Sequence, residues 1–215
     1  MRVRSLAAAA IFLAALAALS ALSATTAAAQ APPTTISGNM QRQYATVKTN
    51  FTQAAEKMPE ADYGFKPSAM PEVRTYGQLF AHVAQSQFGT CAQVKGVPNP
   101  MMGRQLETEL KTKAEFVKAL ADSFAFCDDA YAALSDANMS EPVGRGQVAR
   151  AAMLGNNVDH NNEMAGTAYV YMRAKGLVPP STENAMAARG GGGGGARGGA
   201  PGGGGGRGGG TPPGR

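Results

Sequence analysis

Two copies of a helix-start signal, each leading into a long stripe of apolar side chains, constrain this chain more than anything else in it. Thr75 with Gln78 and Thr112 with Glu115 have the spacing of a capping box: the hydroxyl takes an amide proton of the first turn, and the third helical side chain reaches back to the cap. Behind the first, Leu79, Phe80, Val83 and Cys91 recur at helical intervals until Gly96 and Val97-Pro98-Asn99-Pro100 stop the helix. Behind the second, Phe116, Leu120, Phe124, Cys127, Tyr131 and Leu134 come at threes and fours, the pattern of a core face.

Two further helices flank these. One is expected from about Asn39 to Met58, with Tyr44, Val47, Phe51 and Ala55 on one face; Pro59 ends it by steering the residue before it out of helical geometry. The other is expected from about Gly146 to Lys175, carrying Val148, Met153, His160, Met164, Thr167 and Tyr171, with Gly176 and Pro179-Pro180 as its stop. The connection from Pro59 to Arg74 holds Tyr63, Phe65, Pro67 and Pro71, which suggests a loop packed on the helices. Strand signals are scarce. The pattern reads as an all-α fold, an antiparallel four-helix bundle over residues 39–182, long enough to enclose a core.

The ends of the chain read differently. Residues 1–29 show Arg2 and Arg4, an apolar run from Leu6 to about Leu22 and Ala27-Ala28-Ala29 before Gln30, the pattern of a cleaved signal peptide, so the protein is expected to be exported, periplasmic or secreted, with no transmembrane anchor in its mature form. Residues 30–38 read as a linker. Residues 183–215 read as a disordered tail: 17 of the 28 glycines lie from Gly190 onward, leaving almost no apolar surface to offset ordering entropy. Arg-Gly segments can bind single-stranded nucleic acid, but this one has no aromatic residue for bases to stack on, and no nucleic-acid partner is expected. Between the ends, residues 30–182 hold 14 basic and 14 acidic residues, so the high pI belongs to the termini and the central segment gives no reason to expect polyanions.

The two cysteines, Cys91 and Cys127, sit on or near the inward stripes of consecutive helices, and an oxidising compartment favours a disulfide between them over two buried thiols. They lack the C-x-x-C arrangement of a redox catalyst.

Two stretches carry a resemblance. Asp62-Tyr63-Gly64-Phe65-Lys66-Pro67 followed by Pro71-Glu72-Val73-Arg74-Thr75-Tyr76-Gly77-Gln78-Leu79-Phe80-Ala81-His82-Val83, and later Asn157-Val158-Asp159-His160-Asn161-Asn162-Glu163-Met164-Ala165-Gly166 with Gly176-Leu177-Val178-Pro179-Pro180, closely resemble DinB-like proteins. The resemblance spans roughly residues 39–182. It implies a four-helix bundle, in many members a divalent metal held by one histidine of the second helix and an H-x-x-x-H pair of the fourth, and dimers in many cases. Metal-dependent members include thiol-linked transferases. The first histidine matches His82 and the first of the pair matches His160, the only two histidines present; the second of the pair falls on Met164. Two imidazoles hold zinc or nickel poorly, whereas a thioether suits Cu(I), so the set His82, His160, Met164 reads as a degenerate site or a copper site, with Asp159 or Glu163 as less well placed substitutes.

Two functions follow as expectations. One is a binding or accessory domain whose histidines are hydrogen-bonded to each other, to Asn156 or to water, with no cofactor. The other is a metal-dependent enzyme, a thiol-linked transferase or hydrolase, centred on His82 and His160. Ser86 and Thr90 follow His82 along the same side of the helix and Ser123 lies on the third, but the sequence marks no acid to orient a histidine base. Asp128-Asp129 reads as a solvated face, and Met101-Met102 as a cap over the end of the bundle.

Overall fold

Capping boxes form at both sites marked by the sequence. Thr75 and Gln78 close one at the head of a helix, and Thr112 and Glu115 close the other. The structure, a computed structural model, describes residues 34–191. Its elements in chain order are α1 (Ile36–Lys57), a 3-10 turn (Glu60–Asp62), α2 (Tyr76–Lys95), a short α3 (Leu106–Glu109), α4 (Lys113–Ala132), strands β1 (Pro142–Val143) and β2 (Val148–Ala149), α5 (Arg150–Ala174) and α6 (Pro180–Gly191). The molecule is mostly helical. Among the described residues no helix is long and apolar enough to cross a membrane.

The four long helices share one core. α2 packs against α4 and α5, and α1 packs against the same two. Phe51, Phe80, Leu120, Phe124, Tyr131, Leu154 and Met172 are buried between them. Burying side chains of this kind stabilises by about 1.5 to 3 kcal/mol each. Tyrosine hydroxyls that enter the core are matched to helix carbonyls inside it: Tyr76 donates to Ala54 at 2.8 Å and Tyr44 donates to Phe124 at 2.9 Å. At Gly77 the approach of α4 leaves no room for a side chain, since a Cβ there would lie 2.6 Å from the Phe116 ring.

Cys91 and Cys127, both fully buried, are joined across α2 and α4 with their Cα atoms 5.3 Å apart. The 59–74 connection packs down, as its aromatics suggest: Tyr63 is buried against Tyr76 and Phe116, and its hydroxyl donates to the Ala55 carbonyl.

Several boundaries differ from the sequence reading. α1 begins at Ile36, inside the expected 30–38 linker, because Thr35 caps it and the Ser37 amide donates to Asp136 at 2.8 Å. The helix expected from Gly146 begins at Arg150; Gly144 at φ 68° and Gln147 at φ 49° turn the chain through an antiparallel pairing of β1 with β2 first. Residues 180–191 are helical although the tail was expected from 183, since Glu183 pairs with Lys57 and Asn184 donates to Asn50 and Gln53 of α1. Asp128 is no bare solvated face: Lys48 pairs with it at 2.7 Å and the Tyr44 hydroxyl reaches it. Met101 packs against the core while Met102 is exposed, so only the first caps anything. The expected signal peptide at 1–29 and most of the glycine-rich tail lie outside the described residues.

Candidate functional site

His82 stands midway along the face of α2 that receives α3. Gln78 and Gln85, four residues before it and three after, share that face. The Gln78 side chain donates to the Glu107 carbonyl at 3.3 Å, and the Gln85 side chain accepts the Leu106 amide at 2.9 Å, with Leu106 buried beneath. These contacts pin α3 so that Glu107 Oε1 lies 2.7 Å from His82 Nδ1. The other carboxylate oxygen takes Arg74 Nε at 2.8 Å, and the Arg74 carbonyl accepts the Tyr171 hydroxyl of α5 at 3.0 Å. On its far side His82 Nε2 meets His160 Nε2 at 3.0 Å. A continuous hydrogen-bonded row therefore runs Arg74, Glu107, His82, His160.

Electrostatics orders the row. Burial alone would raise the Glu107 carboxyl, but the hydrogen bonds from Arg74 and His82, with the charges behind them, outweigh it and hold the group below the usual carboxylate range. Burial, and then the neighbouring His82, lower His160 below the usual imidazole range, which favours its neutral form. An ionised Glu107 can only accept, so His82 Nδ1 donates to it. Between the two Nε2 atoms one ring donates and the other accepts.

His160 Nδ1 has no hydrogen-bond partner although it is buried. Other atoms of His160 border a cleft of about 340 Å³ between α2 and the start of α5. Asn157, three residues before it, lines the same cleft and is 3% exposed. Its Oδ1 receives the Tyr131 hydroxyl at 2.9 Å and, more weakly, Asn161 Nδ2 at 3.5 Å, while its own Nδ2 is unpartnered. Asn161 also donates to Gln87, and Gln87 to Ser123 at 2.9 Å, so a polar thread crosses the core and stops at the cleft.

The structure brings some of the expected residues together and separates others. His82 and His160 are bonded to each other, and Ser86 and Thr90 line the adjoining cleft. Ser123 is buried on the other side of α2, with its hydroxyl given to Leu120. Met164 is half-buried one turn beyond His160. The cysteine pair has no bond to the row and serves the α2–α4 contact.

A three-ligand zinc or nickel centre does not fit this donor set. Two imidazole nitrogens converge, the next position along α5 carries a thioether, and among the described residues no three His, Cys, Asp or Glu are grouped to hold an ion. Glu107, the acid that orients His82, and Asn157, the unpaired amide, were not singled out by the sequence. Glu107 lies 25 residues from His82 in a segment that reads as a loop, and no spacing signal could have linked them.

Comparison with known proteins gives a consistent family. A family model described as the DinB superfamily matches residues 43–167. No curated protein matches the sequence. Among solved structures, a conserved protein from Enterococcus faecalis superposes with a TM-score of 0.51 at 14% identity, covering 66% of this chain and 97% of its own. A DinB-like protein from Bacillus subtilis gives 0.50 at 18% identity, covering 65% and 94%. At these identities the likeness concerns the fold.

Proposed function

This chain belongs to the DinB superfamily, and from that premise we propose that it is an exported four-helix-bundle binding domain whose ancestral metal site has degenerated. The observation that carries the reading is the direct bond between the two histidines at 3.0 Å, with Glu107 fixing His82 from behind and Met164 standing where the resemblance calls for a third imidazole. The two Nε2 atoms are thereby turned on each other, and His82 Nδ1 is taken by Glu107. What remains open is the neighbouring cleft, lined by hydroxyl, amide and apolar side chains beside His160.

One observation supports the second reading, a metal-dependent enzyme of thiol-linked transferase or hydrolase type using His82 and His160. A carboxylate on the far nitrogen of an imidazole is the arrangement that commonly orients metal-bound histidines, and Glu107 stands in that position. In that reading Glu107 would hold the His82 ring and fix its tautomer.

Elemental analysis of the purified protein after titration with zinc, nickel and Cu(I), beside a His82→Ala/His160→Ala double variant, separates the two. Equal background metal in both proteins is the expected result. Stoichiometric metal that the double variant loses would sink the degenerate-site reading. Met164→His is expected to create zinc or nickel binding on its own, because His160 and position 164 share a helical face. Export is tested by fractionation and N-terminal sequencing, with Gln30 expected as the first residue.

A further inference from the structure

We propose that the cavity between the 59–74 connection and the start of α4 binds a free α-amino acid with an apolar side chain, held by its two charged ends. The inference goes beyond the binding-domain reading by naming a ligand, and it uses neither histidine. The cavity holds about 250 Å³, with Glu60 and Tyr63 in its lining from the connection and Leu110, Lys111, Lys113 and Phe116 from the approach to α4 and its first turns. Charges of both signs stand in that lining without an opposite charge. Of the acids in the 3-10 turn, Asp62 pairs with Lys175 at 2.7 Å, whereas Glu60 has no basic partner among the described residues. Lys111 Nζ donates to the Thr108 carbonyl, and Lys113 Nζ to the carbonyls of Glu56 and Met58 at 2.7 and 2.9 Å; neither ammonium has a carboxylate partner among the described residues.

Nearby charges do find partners: Arg104 takes Glu109, and Lys118 takes Asp122. The charges around the cavity ask for a ligand that carries both signs. An ammonium has three protons, so Lys113 keeps one for an incoming acceptor and Lys111 keeps two, while the Glu60 carboxylate can only accept. A simple anion would meet Glu60 as a like charge, and a simple cation would meet two ammonium groups. A zwitterion sets its carboxylate toward the lysines and its ammonium toward Glu60, and charge-assisted hydrogen bonds are the stronger kind. Glu107 also borders the cavity but is already committed, one oxygen to Arg74 and the other to His82.

The wall between the charges is apolar. Tyr63 and Phe116 are buried with their ring centres 5.8 Å apart, Leu110 is half-buried, and the Lys113 ammonium stands 6.0 Å from the centre of the Tyr63 ring. Gly64 borders the same cavity and leaves it unobstructed, since a Cβ there would have nothing within 4 Å. An apolar side chain placed on this wall leaves water, which favours binding in proportion to the area covered. A cavity of about 250 Å³ is smaller than those that enclose drug-sized ligands, and it suits one amino acid rather than a peptide.

The test is titration calorimetry on the purified protein at neutral pH. Leucine, valine and phenylalanine are the probes, each beside the acid that lacks its ammonium group and the amine that lacks its carboxylate. At least one amino acid is expected to bind saturably, and at least fivefold more tightly than either of its counterparts. Glu60→Gln and Lys111→Gln, both at exposed positions, should each weaken that amino acid at least threefold with the melting temperature unchanged. Lys113 is left in place because it also holds the last carbonyls of α1. Absence of saturable binding by all three amino acids overturns the proposal. A counterpart that binds as tightly as its amino acid would also overturn it, as would full affinity in either variant. Metal content of the same protein keeps the two readings apart. Stoichiometric metal together with amino-acid binding overturns the degenerate-site reading alone, whereas background metal without amino-acid binding overturns this inference alone.

Discussion

α2 presents two faces that are built on opposite plans. Toward α4 it is closed: Phe88 and Cys91 lie against Phe126 and Cys127, and the buried pair Gln87 and Ser123 bond each other. Toward α5 it is less tightly matched: His82 meets His160 at a half-exposed position, and buried polar atoms of Arg150, Asn157, His160 and Asn161 on α5 find no partner. A helix can carry both because side chains three or four residues apart share a face while those one or two apart do not. The closed face supplies stability, and the other gives up some of it, since each buried polar atom without a partner carries its desolvation cost.

That contrast can be broken by experiment, and the largest expected effect is at alkaline pH. Tyr44, Tyr63, Tyr76 and Tyr131 are buried, and burial raises each hydroxyl well above its ordinary range. A raised folded-state pKa contributes stability in full below the unfolded value of about 10, and that stability is lost as pH rises through it toward the folded values. Stability should therefore fall steeply above about pH 10, with tyrosinate absorbance rising in step with unfolding rather than before it. Early titration of these four tyrosines in the folded protein would show that the core is not closed.

Next in size is Phe80→Ala, expected to cost about 3 to 5 kcal/mol in chemical denaturation because it opens a cavity among packed aromatic rings. Removing the cysteine link ranks close behind. Cys91 and Cys127 are 36 residues apart, a separation for which the loop-entropy model gives about 3 to 4 kcal/mol. The Cys91→Ala/Cys127→Ala variant, compared with wild type under oxidising conditions, measures it. Equal midpoints, or two free thiols by non-reducing mass spectrometry, would remove the link from the account.

The smallest effect should come from the face toward α5. His160→Ala is expected to change stability by less than about 1 kcal/mol, since the half-exposed ring bonds only to His82 through Nε2. A cost as large as that of Phe80→Ala would make the histidine row a structural element and erase the distinction between the faces.

The helices themselves were legible in the sequence to within a few residues. Thr75 and Thr112 start α2 and α4 as the capping boxes require, and Pro59 and Gly96 close the preceding helices. The late start of α5 was hidden because Val148 fits a helical stripe and a two-residue strand equally well, and only its pairing with Val143 decides. Of the site, His82 and His160 were visible as the only histidines, and Met164 as the departure from an H-x-x-x-H pair. Their hydrogen bonding was one of several open alternatives.

What the sequence determined by itself is local: caps, breakers and apolar stripes act within a turn or two of the residues that carry them, so the chain states its own helices. What only the tertiary structure decided is the chemistry around the histidine row. Glu107 reaches His82 because Gln78 and Gln85 hold α3 against α2, and Asn157 Nδ2 is left over because Tyr131 of another helix takes the oxygen of the same amide. Which polar group is satisfied and which is left waiting depends on distances between segments far apart in the chain, and those distances exist only after the core has packed.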